Sequence, residues 1–196
     1  MNALGYALLA QESYKAEPDI GSAFSSSRAI CRQVEDGFCV TFRGSDNNAS
    51  WITDLDIAVL DDTLIGKVHK GFWEAWQAIA GSVKAVCKAS DSPIILCGHS
   101  LGAALALIGA ADFIRSGLPL SAVYAFEPPR VSPDLNVRAT LSSIPVHAYK
   151  NGGSPVTDVP PFWRQSSLLT HIGPIRWCDD KISDHLIENI INSLGG

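Results

Sequence analysis

Apolar positions along this chain fall into two alternating kinds of run. Short, dense runs of bulky and β-branched side chains occupy 28–34, 38–43, 93–97, 122–126 and 145–149, which is the length and make-up of strands. Between them, apolar positions recur at helical spacing instead. In 72–88 the residues Phe72, Trp76, Ile79, Val83 and Val86 return every three or four positions, predicting a helix with one buried stripe. The stretch 101–116 is Ala-rich and nearly free of charge, and Gly117 and Pro119 supply its stop. Helices are also predicted over 3–13 and 184–194. Asp36-Gly37 predicts the tight turn between the first two strands. Two short runs, 168–172 and 175–177, split by Gly173-Pro174, predict an antiparallel hairpin. Strands alternating with helices define the fold class as α/β with a mostly parallel central sheet flanked by helices.

Composition narrows the picture without redirecting it. A chain of 196 residues, 46% apolar, is expected to form one domain over 1–196 with a core of ordinary size. A net charge of -5 and the lack of any basic run exclude nucleic acid as a partner. The longest apolar stretch, around 101–111, is too short for a bilayer and is interrupted by Gly109 and Asp112, so no transmembrane segment is expected. The first ten residues carry no basic group and run on into Gln11-Glu12-Ser13-Tyr14. They read as the first helix of the mature fold rather than as a signal peptide. Five cysteines (Cys31, Cys39, Cys87, Cys97 and Cys178) show no C-x-x-C spacing. Together these features predict reduced thiols and a cytoplasmic protein, with export by another route left open. No His, Cys or carboxylate cluster has metal-ligand spacing, so neither metal nor cofactor is expected.

The chemistry gathers around Gly98-His99-Ser100-Leu101-Gly102. A buried strand precedes it and an Ala-rich helix follows, which is the setting of a G-x-S-x-G nucleophile turn. A serine hydroxyl needs a histidine to take its proton and a carboxylate to orient that histidine. On this fold the chain order is Ser, then acid, then His. His69 precedes the nucleophile, His99 lies inside the turn, His147 falls within a strand and His171 within the predicted hairpin. His185, at Ser183-Asp184-His185, remains as the base. Oxyanion donors are expected from the backbone N–H of Leu101 and from Ser45, which ends the Phe42-Arg43-Gly44-Ser45 stretch. Arg43 reads either as an anion binder or as an ion-pair partner.

These residues resemble the fungal-type, class 3 lipases of the α/β-hydrolase superfamily. The resemblance rests on Phe42-Arg43-Gly44-Ser45 with Trp51 and Asp54 downstream, on Val68-His69-Lys70-Gly71-Phe72, and on Gly98-His99-Ser100-Leu101-Gly102-Ala103. Phe126 with Pro129-Arg130-Val131, and Asp184-His185, complete it. It implies Ser100 as nucleophile, His185 as base, Ser45 and Leu101 as oxyanion donors, and a structural role for His69. It also implies that 46–60 occupies the lid position. There Trp51, Ile52, Leu55, Ile57, Val59 and Leu60 offer an apolar face, to cover the site, to touch a lipid surface or to serve as core.

One position departs from the family pattern. The turn that would hold the triad aspartate reads Asn151-Gly152-Gly153-Ser154-Pro155-Val156-Thr157-Asp158, with Ser154 where the acid is expected. Two carboxylates offer replacements. Glu127, which ends the preceding strand and is followed by Pro128, ranks first, by resemblance to pancreatic-type lipases of the same superfamily. Asp158 ranks second; Glu127 alternatively pairs with Arg130 or caps a turn. The expected activity is hydrolysis of carboxylic esters of lipids (glycerides, phospholipids or simpler acyl esters) through an acyl-serine intermediate. The alternatives are an acyltransferase or thioesterase built on the same residues, and a disabled lipid-binding pseudo-hydrolase.

Overall fold

The computed structural model describes residues 1–22, 24–25, 27–45, 57–174 and 182–196. Its centre is a six-stranded sheet of order β1-β2-β5-β6-β7-β8. The strands are β1 (Ala29–Val34), β2 (Gly37–Phe42), β5 (Ile94–His99), β6 (Ala122–Phe126), β7 (Val146–Asn151) and β8 (Leu169–Ile172). Only β1 runs antiparallel to its neighbour; every other pair is parallel. A small ladder of β3 (Val59–Leu60) and β4 (Val68–His69) stands apart from the sheet. The helices are α1 (Ala3–Glu12), α2 (Lys70–Lys88), α3 (Leu101–Arg115), α4 (Asn136–Leu141) and α5 (Ile187–Gly195).

Two cores explain why β5 is apolar without interruption. Ile94 and Leu96 join Val40, Phe42 and the helices α2 and α3 on one face of the sheet. Ile95 and Cys97 join Cys39, Phe126 and the helices α1 and α5 on the other. A strand covered on both sides loses the polar alternation of a half-exposed one. Helix α3 is buried from Leu101 to Phe113. Gly109 admits the Trp76 ring, which a Cβ would meet at 2.9 Å. The buried Asp112 is satisfied by Trp76 Nε1 and by Lys84, both at 2.8 Å.

Most sequence-predicted elements appear with ends shifted by one or two residues, within the usual ambiguity of element boundaries. The first turn differs in kind. Val34 lies opposite Gly37, so the two-residue loop is Glu35-Asp36. Gly37 is already in the strand, at φ 147°, where a Cβ would meet the Pro93 carbonyl oxygen at 2.1 Å. Close approach of the chain entering β5 therefore demands this glycine. The last predicted helix is two elements: a 3-10 turn (Ser183–His185), then extended Leu186 at φ -64° and ψ 136°, then α5. Of the predicted hairpin, the first half is β8, paired in parallel with β7. Its second half, 175–177, lies outside the described residues, as do Cys178 and the lid-position residues Trp51, Ile52 and Leu55. Cys31, Cys39, Cys87 and Cys97 are free thiols.

Candidate active site

Ser100 sits between β5 and α3 at φ 58° and ψ -124°, a backbone region that costs a non-glycine residue energy and persists only where its surroundings enforce it. Ser100 N donates to Phe126 O at 2.9 Å, tying the turn to β6. The flanking glycines are steric necessities. A Cβ on Gly98 would meet Gly102 O at 2.2 Å, and one on Gly102 would meet Phe42 O at the same distance. Leu101 is the first residue of α3, so its N–H is not consumed within the helix. Ser100 Oγ is buried and has no hydrogen-bond partner among the described residues.

Glu127 follows β6 directly, at φ 53°, and is fully buried. Its backbone N–H donates to Tyr149 O at 2.8 Å, which holds the strand end in place. Oε1 accepts from Asn151 N, and the neighbouring Ser154 side chain favours the ionised carboxyl. Oε2 lies 3.8 Å from Nδ1 of His185. Burial pushes the Glu127 carboxyl up to about 7, against the opposing pull of Ser154, of the Asn151 hydrogen bond and of the Lys150 charge.

His185 is also fully buried, and neither ring nitrogen has a hydrogen-bond partner among the described residues. Burial lowers its pKa to about 3, so the ring is neutral and ready to accept a proton. Its segment is anchored at successive carbonyls. Asn189 Nδ2 donates to Ser183 O at 2.7 Å, Asn151 Nδ2 to Asp184 O at 2.9 Å, and His99 Nε2 lies 2.8 Å from His185 O.

The other predicted site residues divide clearly. Asp158 lies in a 3-10 turn with its side chain 55% exposed, paired to Lys150 at 2.6 Å and to Arg130 at 3.3 Å. Arg130, considered as a partner for Glu127, pairs with Asp158 instead. Ser154 is buried against Glu127. His69 caps α2, His147 stacks on Tyr124 with ring centroids 4.6 Å apart, and His171 lies exposed on β8. The Arg43 guanidinium lies 5.6 Å from the centre of the Tyr14 ring. Ser45 lines a cavity of about 210 Å³ with Gln11, Tyr14, Lys15, His99, Leu186, Ile187 and Glu188. Sequence reasoning set His99 aside and passed over Tyr14. A tyrosine at the end of a first helix carries no local signal of what it will meet 85 residues later.

A mostly parallel sheet, helices on both faces and a strained serine between a central strand and its helix define an α/β-hydrolase. The chain belongs to the class 3 lipase family, whose sequence model matches residues 39–162. It is 31% identical, over 71% of its length, to a secreted mono- and diacylglycerol lipase of Fusarium solani, and covers 43% of that protein. It is 25% identical, over 70% of its length, to the secreted mono- and diacylglycerol lipase A of Penicillium cyclopium, and covers 47% of it. The chain thus spans less than half of these two relatives. Among solved structures, the triacylglyceride lipase of Rhizomucor miehei superposes with a TM-score of 0.68 at 24% identity. That match covers 81% of this chain and 73% of the other. The relatives overturn one expectation. Two of them are named as secreted, so the cytoplasmic location predicted above is withdrawn.

Proposed function

We propose that this chain hydrolyses carboxylic esters of lipids, with Ser100 as nucleophile, His185 as general base and Glu127 as the acid of the triad. The observation that carries this reading is the buried carboxylate facing His185 Nδ1 at 3.8 Å, on the residue that follows Phe126, to whose carbonyl the Ser100 N–H donates. In the reaction, Ser100 Oγ attacks the ester carbonyl carbon while its proton passes to His185 Nε2. Negative charge develops on the carbonyl oxygen, where the N–H of Leu101 and the donors of Ser45 stabilise it. His185 then returns the proton to the departing alcohol, leaving an acyl-serine. Water repeats the sequence and releases the acid. Glu127 carries the charge that balances the imidazolium.

The cavity lined by Ser45 and Leu186-Ile187 is the candidate place for the alcohol part of the ester. Its lining combines the polar Gln11, Lys15 and Glu188 with the apolar Leu186 and Ile187, which suits a glycerol carrying free hydroxyls. Mono- and diacylglycerols, named for two relatives, are therefore the first substrates to test. The names of the same relatives support action outside the cell. The test combines fluorophosphonate labelling with release of fatty acid from acylglycerols, for the wild type and for Ser100→Ala. Ser100-dependent labelling and release support the reading; a wild type that neither labels nor releases acid overturns it in favour of a lipid-binding pseudo-hydrolase. Adding an alcohol acceptor separates hydrolysis from acyl transfer.

A further inference from the structure

We propose that His99 is a positioning residue for His185, held in a single neutral tautomer by the hydroxyl of Tyr14. The proposal rests on the reading of His185 as the general base. Its geometry is a chain of contacts that reaches the base from behind. Tyr14 Oη lies 2.7 Å from His99 Nδ1, and His99 Nε2 lies 2.8 Å from the carbonyl oxygen of His185. A carbonyl only accepts, so His99 Nε2 carries a hydrogen. In the neutral ring Nδ1 then holds a lone pair, and the Tyr14 hydroxyl donates to it.

The ring itself lies against the base. The centroids of His99 and His185 are 4.6 Å apart with 29° between their planes. During attack His185 becomes a cation. A second proton on His99 would set a like charge against it and oppose that step. Two features keep that proton away. His99 is almost completely buried, and burial lowers its pKa well below the ordinary value, against the pull of Glu188. The Tyr14 hydrogen occupies the one nitrogen that would take the proton.

The pair also touches the other half of the site. A Cβ at Gly44 would meet Tyr14 Oη at 2.0 Å and His99 O at 2.7 Å. Glycine therefore lets the strand end that delivers Ser45 pass directly over the Tyr14–His99 contact. One half-buried tyrosine and one buried histidine thus brace both the base and the segment leading to a proposed oxyanion donor. Tyr14 lies outside the 39–162 region matched by the family, so this brace is supplied by the segment following α1.

The experiment uses three variants of the full chain. His99→Phe keeps a flat ring and removes the donor, and is expected to lower kcat about 10–100-fold with KM unchanged, the usual scale for a supporting partner. His99→Gln restores an N–H within reach of His185 O and should recover most of that loss. Tyr14→Phe removes only the hydroxyl. A 15N NMR spectrum of the imidazoles should show wild-type His99 neutral and protonated at Nε2 between about pH 5 and 8, and Tyr14→Phe should weaken that preference. A wild-type His99 protonated at Nδ1, or His99→Phe with wild-type kcat, overturns the proposal. The tautomer is read without any activity. Its loss is therefore distinguishable from failure of the catalytic reading, which would show as absent Ser100 labelling in the wild type.

Discussion

Glu127 Oε2 and His185 Nδ1 face one another at 3.8 Å inside a fully buried site. That separation exceeds a hydrogen bond by roughly 1 Å, a movement well within the reach of a glutamate side chain. Closing it produces the carboxylate–imidazole contact that an acyl-transfer triad needs. Ser154, at the position where the family resemblance places the acid, favours the ionised form of the Glu127 carboxyl. The serine thus supports a carboxylate that arrives from the neighbouring strand end.

Three substitutions separate the candidate acids. Glu127→Gln is expected to lower kcat by about 10⁴, the scale for neutralising a triad acid. Asp158→Asn should stay near wild type, since the half-exposed Asp158 pairs with Lys150 and Arg130 rather than with His185. Ser154→Asp would place a second carboxylate against Glu127, and should lower both activity and stability. Steady-state hydrolysis of one acylglycerol checks all three. A large gain from Ser154→Asp would show that the ordinary position still commands the site.

The pH profile should carry the mark of a buried acid. Glu127 must be ionised to balance the imidazolium, and its pKa is raised to about 7. Activity is therefore full above that value and falls about tenfold per pH unit below it. Measured kcat/KM against pH should show this acid limb near neutrality. A limb close to the ordinary glutamate range, about 4.3, would mean that Glu127 is not the titrating group.

Stability should move the opposite way. Between its ordinary value of 4.5 and about 7 the folded protein holds a proton on Glu127 that the unfolded chain has lost. Folding therefore weakens as pH rises through this window, by on the order of 3 kcal/mol at most. His185, whose folded pKa is lowered to about 3, contributes the reverse slope between that value and 6.5. Comparing the wild type with Glu127→Gln removes the histidine contribution, because both proteins carry it. Denaturant unfolding should find the variant more stable at about pH 8 and nearly equal at about pH 4. Equal stability at both pH values would show that the charge carries no burial cost.

Much of this arrangement was legible in the chain because short-range chemistry dictates it. The apolar run of β5, the two glycines around Ser100 and the Ala-rich α3 are all local consequences of one tight strand-to-helix passage. Chain order on the fold then left His185 as the one candidate base. The choice of Glu127 over Asp158 was legible only as a ranking, since it depends on which carboxylate the sheet buries and which it leaves to solvent. The 3-10 turn ahead of α5 was hidden because Asp184 and His185 continue a helical pattern without a break residue. The Tyr14–His99 contact was hidden for a different reason: the two residues are far apart in sequence, and nothing near either one signals the other. The glycine at 37 was read as a turn residue, when the demand comes from Pro93 across the sheet.

The oxyanion assignment meets its test at Ser45. The residue stands three beyond the end of β2, whose last residue, Phe42, is approached so closely by Gly102 that no side chain fits between them. This packing brings the first turn of α3, with the Leu101 N–H, beside the segment that leads to Ser45. Two kinds of donor are then available, a backbone N–H fixed by the helix start and a hydroxyl free to rotate. Removing an oxyanion donor acts on charge that exists only in the transition state, so it lowers kcat by about 10²–10³ and leaves KM alone. Ser45→Ala keeps its own backbone N–H and is expected at or below the lower end of that range. Ser45→Thr, which retains the hydroxyl, should recover part of the loss. A Ser45→Ala variant that raises KM with kcat unchanged would instead place the residue in binding of the alcohol part of the substrate, at the wall of the cavity it lines.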